Sequence, residues 1–203
     1  MAQVLLGALA FAMAFAFDLV SLQRARHLKP VLSASAGATL LAALVWTLAT
    51  PGRFAWPAWT SLVGWPLLIL ATALLVFSLL LELPFAATYA RQGVGDVLIT
   101  TGTYALVRHP GVLWFGMALV GCILVSKSRL MVVAGIVWFC LDVLYAWLQD
   151  RFLFVRMFPG YTAYQKTTPM LIPTWQSLVR CWRTLPWPRG QQRAAPDNDP
   201  KPV

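Results

Sequence analysis

The chain has 203 residues, of which 59% are hydrophobic and only 11% are charged. Soluble domains carry about a quarter charged residues, so this composition excludes an ordinary water-exposed surface and favours a membrane protein. The formal net charge is +9, but the basic residues lie between and after apolar runs, where topology signals occur, so we expect no nucleic-acid partner. Three cysteines, none of them in a Cys-x-x-Cys pair, predict neither a metal site nor a disulfide framework.

Five apolar segments predict membrane-spanning helices, and the predicted fold class is an all-α integral membrane protein with a bundle of about five spans. In chain order the segments are Val4–Leu22, Val31–Ala49, Leu62–Leu81, Val112–Val125 and Leu130–Leu148. The fourth is short for a hydrocarbon core of about 30 Å, so it is expected to tilt or to begin within the polar loop before it. That loop, Phe85–Arg108, is amphipathic and contains glycine, and we expect that it does not span.

The chain after the last span changes character. From Gln149 onward apolar and basic residues alternate, which predicts a helix on the membrane surface. Beyond Leu185 the sequence is polar and rich in proline, which predicts a disordered tail over residues 186–203. Residues 1–185 are therefore expected to form a single transmembrane domain.

The basic residues are distributed unevenly between the predicted loops. With five spans, three of the 16 lysines and arginines (Arg53, Lys127 and Arg129) fall on one side of the membrane, and the other thirteen fall on the opposite side. The positive-inside rule therefore predicts a cytoplasmic C-terminus. The same topology places the loop before the fourth span beside the C-terminal segment.

Two predicted spans contain acidic residues, which are expensive in lipid. Asp18 lies near the end of the first span, where the headgroup zone can solvate it. In the last span, Asp142, Tyr145, Gln149 and Asp150 fall at helical spacing on one broad face, which must be turned toward the bundle or a cavity. A structural polar contact for Asp142 and a solvated helix end for Asp150 remain the alternatives to a functional site.

Two motifs flank the last two spans. The first, Gly-x-Tyr-x-x-Val-Arg-His-Pro, covers Gly102–Pro110, and the second, Phe158–Pro173, contains a Tyr-x-x-Tyr pair. Each has a plain explanation by itself, as membrane-boundary anchors, a helix start or interfacial aromatics. Together, and separated by a helical hairpin, they resemble the isoprenylcysteine carboxyl methyltransferase family, which is related to the phospholipid N-methyltransferases. The resemblance covers roughly Leu79–Pro173 and would make residues 1–185 a methyltransferase-like domain.

This resemblance implies a helical membrane enzyme that uses S-adenosylmethionine and methylates a lipid-like or prenylated acceptor entering from the bilayer. The cofactor-binding residues that it implies are Gly102, Tyr104, Arg108, His109, Pro110, Gln149, Asp150, Tyr161 and Tyr164. Arg108 and Asp150 are the implied catalytic residues, the first holding a carboxylate and the second facing the cationic cofactor. Two departures stand out: Val112 replaces a frequent tyrosine, and Gln149-Asp150 replaces a frequent Glu-Glu pair.

Two other functions remain open at this stage. Sterol reductases resemble the same C-terminal architecture, so a membrane reductase that uses NADPH is one alternative, although such enzymes are usually longer. A non-enzymatic membrane protein on the same scaffold is the other, and the altered Glu-Glu position favours it. The sequence leaves the methyl acceptor and the oligomeric state open.

Overall fold

The computed structural model describes residues 1–22, 28–83 and 98–185, and these are helical apart from short connections. Parts of two predicted loops, residues 23–27 and 84–97, and the predicted tail over 186–203 lie outside the described residues. The helices are α1 (Ala2–Leu22), α2 (Leu28–Ala49), α3 (Trp59–Val76), α4 (Thr103–Leu106), α5 (Pro110–Ser126), α6 (Arg129–Leu148), α7 (Phe154–Met157), α8 (Tyr161–Thr167) and α9 (Trp175–Thr184). Two π-helical segments, π1 (Phe77–Glu82) and π2 (Gln149–Leu153), continue α3 and α6.

Four helical stretches are long and apolar enough to cross a membrane, which confirms the all-α membrane fold. They cover Ala2–Ser21, Pro30–Ala49, Trp59–Glu82 and Arg129–Met157. The remaining predicted span is α5, an apolar helix of 17 residues. At 1.5 Å per residue it is about 26 Å long, slightly less than the hydrocarbon core. Its first residue is Pro110, whose fixed φ angle suits the start of a helix.

The direction of α6 relative to α1 follows from two hydrogen bonds. Trp138 Nε1 donates to the Val4 carbonyl oxygen at 3.1 Å, and Gln149 Nε2 donates to Asp18 Oδ2 at 2.8 Å. The contact nearer the N-terminus of α1 is also the one nearer the N-terminus of α6, so the two helices are parallel. The C-terminal ends of α1 and α6 consequently lie at the same end of the bundle.

Helix α5 runs in the opposite direction and packs closely against α3. A Cβ atom on Gly121 would lie 2.8 Å from the Cβ of Leu68, and one on Gly111 would lie 3.4 Å from Leu79. Small residues at such contacts allow helix backbones to approach in lipid, where the hydrophobic effect does not drive association. The start of α5 therefore meets the C-terminal ends of α1, α3–π1 and α6, and we call this the site end of the bundle.

The opposite end is formed by the α2–α3 connection and the α5–α6 turn. Phe54 N–H donates to the Lys127 carbonyl oxygen at 2.8 Å, and Arg129 N–H donates to that of Gly52 at 3.0 Å. The three basic residues Arg53, Lys127 and Arg129 thus lie away from the site end, where Arg108 and the C-terminal segment lie. The loop before α5 and the C-terminal segment share one end of the bundle as expected, while the cytoplasmic location of that end stays a prediction.

Candidate functional site

A cavity of about 770 Å³ lies at the site end of the bundle. Its walls come from α1, α2, the end of α3 with π1, the start of α5, α6 and the segment α7–α8. Most of the lining side chains are apolar, among them Phe11, Leu40, Leu79 and Phe115. Small-molecule sites commonly occupy roughly 300–1,000 Å³ and have apolar walls with a few polar groups. The cavity therefore has the size and character of a ligand site.

The cavity brings the two sequence motifs together. Seven of the nine residues predicted to bind a cofactor line it: Tyr104, Arg108, His109, Pro110, Gln149, Tyr161 and Tyr164. The other two, Gly102 and Asp150, are not among the lining residues. Cofactor binding by these residues stays a prediction, but their convergence on one cavity is a property of the fold.

Asp150 lies behind the cavity wall in a saturated hydrogen-bond cluster. Arg108 Nε donates to Oδ1 at 2.7 Å and Arg108 Nη2 to Oδ2 at 2.9 Å, which is a bidentate ion pair. The Tyr161 hydroxyl donates to Oδ1 at 2.6 Å, and Gln165 Nε2 donates to Oδ2 at 3.1 Å. Asp150 is 8% exposed, so its carboxylate charge is neutralised inside the protein by Arg108.

Arg108 is almost as fully engaged as its partner. Its Nη1 donates to the carbonyl oxygens of Gln165 at 3.1 Å and Thr168 at 2.5 Å, so four of its five N–H groups have acceptors. Burial acts to lower the pKa of the guanidinium, but the hydrogen bonds and charge of Asp150 outweigh burial and raise it.

This geometry differs from the roles that the resemblance implies for Arg108 and Asp150, which stay predictions. Arg108 and Asp150 were expected to face opposite charges on the cofactor or substrate, whereas the structure joins them to each other. The pair connects the loop before α5 with π2 and α8, and it is first of all a clamp between these segments. Sequence spacing did not reveal this partnership, because the two residues are remote in the chain.

His109 keeps one buried ring nitrogen unpaired. Its ring is 7% exposed and stacks on Phe154, with 5.7 Å between ring centroids. Nε2 lies 3.5 Å from Asp150 Oδ1 and has no hydrogen-bond partner among the described residues. Burial lowers the pKa of His109 and outweighs the opposing influence of Asp150, so the imidazole is neutral at pH 7. Nε2 is buried on the side of Asp150, behind the cavity wall, so the unpaired atom does not itself open into the cavity.

The two tyrosines of the second motif lie on one face of α8. Their rings meet edge to face with 5.8 Å between centroids. The Tyr164 hydroxyl donates to the Tyr104 carbonyl oxygen at 2.5 Å and ties α8 to the loop before α5. Burial raises the pKa of both hydroxyls, so both remain protonated hydrogen-bond donors at physiological pH.

Gly102 shapes the loop through a close approach to Glu82. Its φ angle of +62° is in the left-handed region, and a Cβ atom there would lie 2.8 Å from Glu82 Cδ. Thr103 N–H donates to both Glu82 carboxylate oxygens at 2.9 and 3.1 Å, and the Thr103 hydroxyl also donates to this carboxylate. Sequence reasoning gave Glu82 no functional role; its position directly after the third predicted span, Leu62–Leu81, was the one available signal.

The deeper polar wall of the cavity is organised around Asp18. Tyr145 and Gln149 donate to Asp18 Oδ2 at 2.6 and 2.8 Å. Gln149 therefore points toward α1 while Asp150 points toward Arg108, and the two do not form a side-by-side pair. Asp142, Tyr145 and Gln149 line the cavity, as the polar stripe predicted. Asp142 makes no hydrogen bond or ion pair with any described residue.

The fold and the cavity together define the class of this chain: a helical integral membrane protein with a small-molecule-sized cavity at one end of its bundle. Comparison with protein-family models, with curated proteins and with solved structures gives no match. Within the described ranges, no three His, Cys, Asp or Glu side chains are placed to hold a metal ion.

Proposed function

We propose that this chain is an S-adenosylmethionine-dependent membrane methyltransferase that acts on a lipid-like or prenylated acceptor. The observation that carries the proposal is the convergence of both motifs on one cavity. Residues from the loop before α5 and from α8 form its polar wall, although the α5–α6 hairpin separates them in sequence. The membrane location and the apolar remainder of the cavity support a lipophilic acceptor.

The chain's own residues fit the proposed cofactor at this polar wall. S-adenosylmethionine, when bound, supplies a methyl group on a positively charged sulfur atom. The neutral His109 ring forms part of this wall, and Arg108 retains one N–H that is not engaged. The Asp18 carboxylate in the wall, which accepts hydrogen bonds from Tyr145 and Gln149, favours a cationic ligand.

The acceptor is proposed to enter from the bilayer between α2 and the end of α3. Both helices line the cavity, α2 with Ala36 and Leu40 and α3–π1 with Leu75 and Leu79, yet they do not form a packed pair. A lipid-like chain can occupy such an apolar gap without exposing polar backbone. Methyl transfer from a sulfonium needs little acid–base help, so positioning of two reactants in one cavity supplies much of the rate.

One observation favours the non-enzymatic alternative. Arg108 and Asp150 satisfy each other, so the two groups expected to be catalytic are engaged in a clamp rather than turned to a ligand. A scaffold that has lost its chemistry would keep such a clamp, because removing either partner would leave a buried charge. A ligand-binding measurement distinguishes a methyltransferase from a non-enzymatic protein.

The test is the binding of radiolabelled S-adenosylmethionine and of NADPH to the detergent-purified full chain. We expect saturable S-adenosylmethionine binding that His109→Ala weakens about tenfold, or about 1.4 kcal/mol, because the change removes a ring from the polar wall of the cavity. His27→Ala changes the only other histidine and is the matched control. Binding of NADPH alone would indicate a reductase, and binding of neither ligand would indicate a non-enzymatic protein.

A further inference from the structure

A groove outside the cavity lies between α8 and α9 and carries positive charge. Its lining includes Lys166 from α8 together with Arg180 and Arg183 from α9, and none of the lining residues is acidic. We call this surface the α8–α9 groove. Three cations without a neighbouring carboxylate in the groove attract an anionic group.

An apolar face of α9 borders this groove. Trp175 is 79% exposed, Leu178 46% and Trp182 66%. Positions i, i+3 and i+7 share one side of a helix, so these three side chains form a continuous apolar strip. Ser177, on the opposite side, is fully buried against the protein. Helix α9 is thus amphipathic, with its apolar strip directed away from the bundle.

The elements that form the groove are fixed to one another and to the site end. Thr174 and Ser177 make a reciprocal capping box at the start of α9. Arg180 Nη2 donates to the Thr167 carbonyl oxygen across the groove. At the other end of α9, the Thr184 hydroxyl accepts from Gly102 N–H at 2.9 Å. The groove is therefore a built surface, attached to the loop that shapes the cavity.

We infer that the α8–α9 groove binds the phosphate headgroup of an anionic phospholipid. In a chain with membrane-spanning helices, exposed tryptophans belong at the headgroup level, and adjacent basic side chains reach the lipid phosphates. Three cations with no acidic residue in the described lining of the groove select a headgroup with net negative charge over a zwitterionic one. This inference does not depend on the proposed methyltransferase activity.

The test measures which lipid stays with the purified protein. The full chain is reconstituted in vesicles of equal parts phosphatidylglycerol and phosphatidylcholine, extracted in mild detergent, and analysed for bound lipid by mass spectrometry. We expect retained lipid to be enriched in phosphatidylglycerol. Lys166→Gln/Arg180→Gln/Arg183→Gln is expected to reduce this enrichment at least about threefold, since each basic residue near a surface contributes measurably to anionic-lipid binding.

Two further variants keep the result interpretable. Lys166→Gln/Arg183→Gln leaves the bond from Arg180 to Thr167 intact, so a reduced enrichment in this variant, with a monodisperse elution profile, cannot come from misfolding. Arg189→Gln/Arg193→Gln/Lys201→Gln removes equal charge from the tail and should retain the wild-type enrichment. Equal enrichment in the groove variants and wild type would overturn the inference. So would an equal loss in the tail variant, or displacement of the lipid by inorganic phosphate at constant ionic strength.

Discussion

Asp142 and Asp150 lie about two helical turns apart on one continuous helical segment, yet their surroundings are opposite. Asp150 accepts hydrogen bonds from three side chains and forms a bidentate ion pair with Arg108. Asp142 lines the cavity and has no partner among the described residues. The first carboxylate joins segments of the protein, whereas the second is turned toward space that a ligand can fill.

This difference separates a structural region from a binding region. A buried ion pair is stable only when its geometry is good and its remaining donors and acceptors are satisfied, as they are around Asp150. Groups that keep unsatisfied polar atoms, His109 and Asp142, line the cavity instead. Effects on stability should therefore concentrate around Asp150, and effects on ligand affinity around His109 and Asp142.

The largest effect on stability is expected for Arg108→Ala. This change leaves Asp150 without its cation in a site where both side chains are about nine-tenths buried. We expect a loss of about 3 kcal/mol of unfolding free energy, because breaking a buried pair leaves an uncompensated charge. Thermal unfolding in detergent measures it, and Arg151→Ala, which changes the exposed arginine beside Asp150, is the control. An unchanged unfolding temperature would mean that the pair is not a clamp.

The next largest effect on stability is expected for Asp150→Asn, and Asp142→Asn is its matched control. We expect Asp150→Asn to destabilise by about 2 kcal/mol, since hydrogen bonds to a charged group contribute about 1.5–3 kcal/mol. Asp142→Asn should change stability by less than about 0.5 kcal/mol, because it removes no contact within the protein. If Asp150→Asn kept its unfolding temperature while losing affinity for S-adenosylmethionine, Asp150 would be a direct ligand contact after all.

Gln149→Glu should lower the stability of the folded protein by a smaller amount. The resemblance to the Glu-Glu pattern suggests that this change restores a pair and preserves or tightens cofactor binding. The structure instead places the new carboxylate against Asp18, which now accepts a hydrogen bond from Gln149 at 2.8 Å. We expect Gln149→Glu to lose about 1–2 kcal/mol of unfolding free energy, because the hydrogen bond is lost and two like charges face each other. The double variant Asp18→Asn/Gln149→Glu should recover this stability. Normal stability of the single variant would contradict this placement.

The smallest effect is a pH dependence due to His109. In the unfolded chain the imidazole takes up a proton below about pH 6.5, whereas burial lowers the pKa of His109 in the folded chain and keeps it neutral. The unfolded state then binds more protons, so stability falls as the pH falls below about 6.5. When the pH is lowered from 7.5 to 5.5, the unfolding free energy of the wild type should fall by about 1 kcal/mol more than that of His109→Gln. Parallel pH profiles of the two proteins would show that His109 does not contribute.

Much of the fold followed from the sequence. Long apolar runs predicted three of the four spanning helices to within three residues at each end, because a lipid-exposed helix needs an apolar run as long as the hydrocarbon core. The last stretch continues to Met157, beyond the predicted end at Leu148. The short helix α5, which is the fourth predicted span, was also anticipated, including its start near the Arg-His-Pro motif. The polar stripe was predicted to face the bundle or a cavity, because polar groups on a spanning helix need partners away from lipid. Asp142, Tyr145 and Gln149 line the cavity, while Asp150 faces Arg108.

The sequence by itself determined that this chain is a helical membrane protein, and that two motifs rich in polar and aromatic residues lie near one another. Only the tertiary structure decided which of those residues pair with each other and which remain available. Arg108 with Asp150, Glu82 with Thr103, and Asp18 with Gln149 are contacts between segments remote in the chain. Hydrogen bonding depends on distances and angles set by the packing of whole helices, so residue spacing could not distinguish the clamp at Asp150 from the open carboxyl group of Asp142.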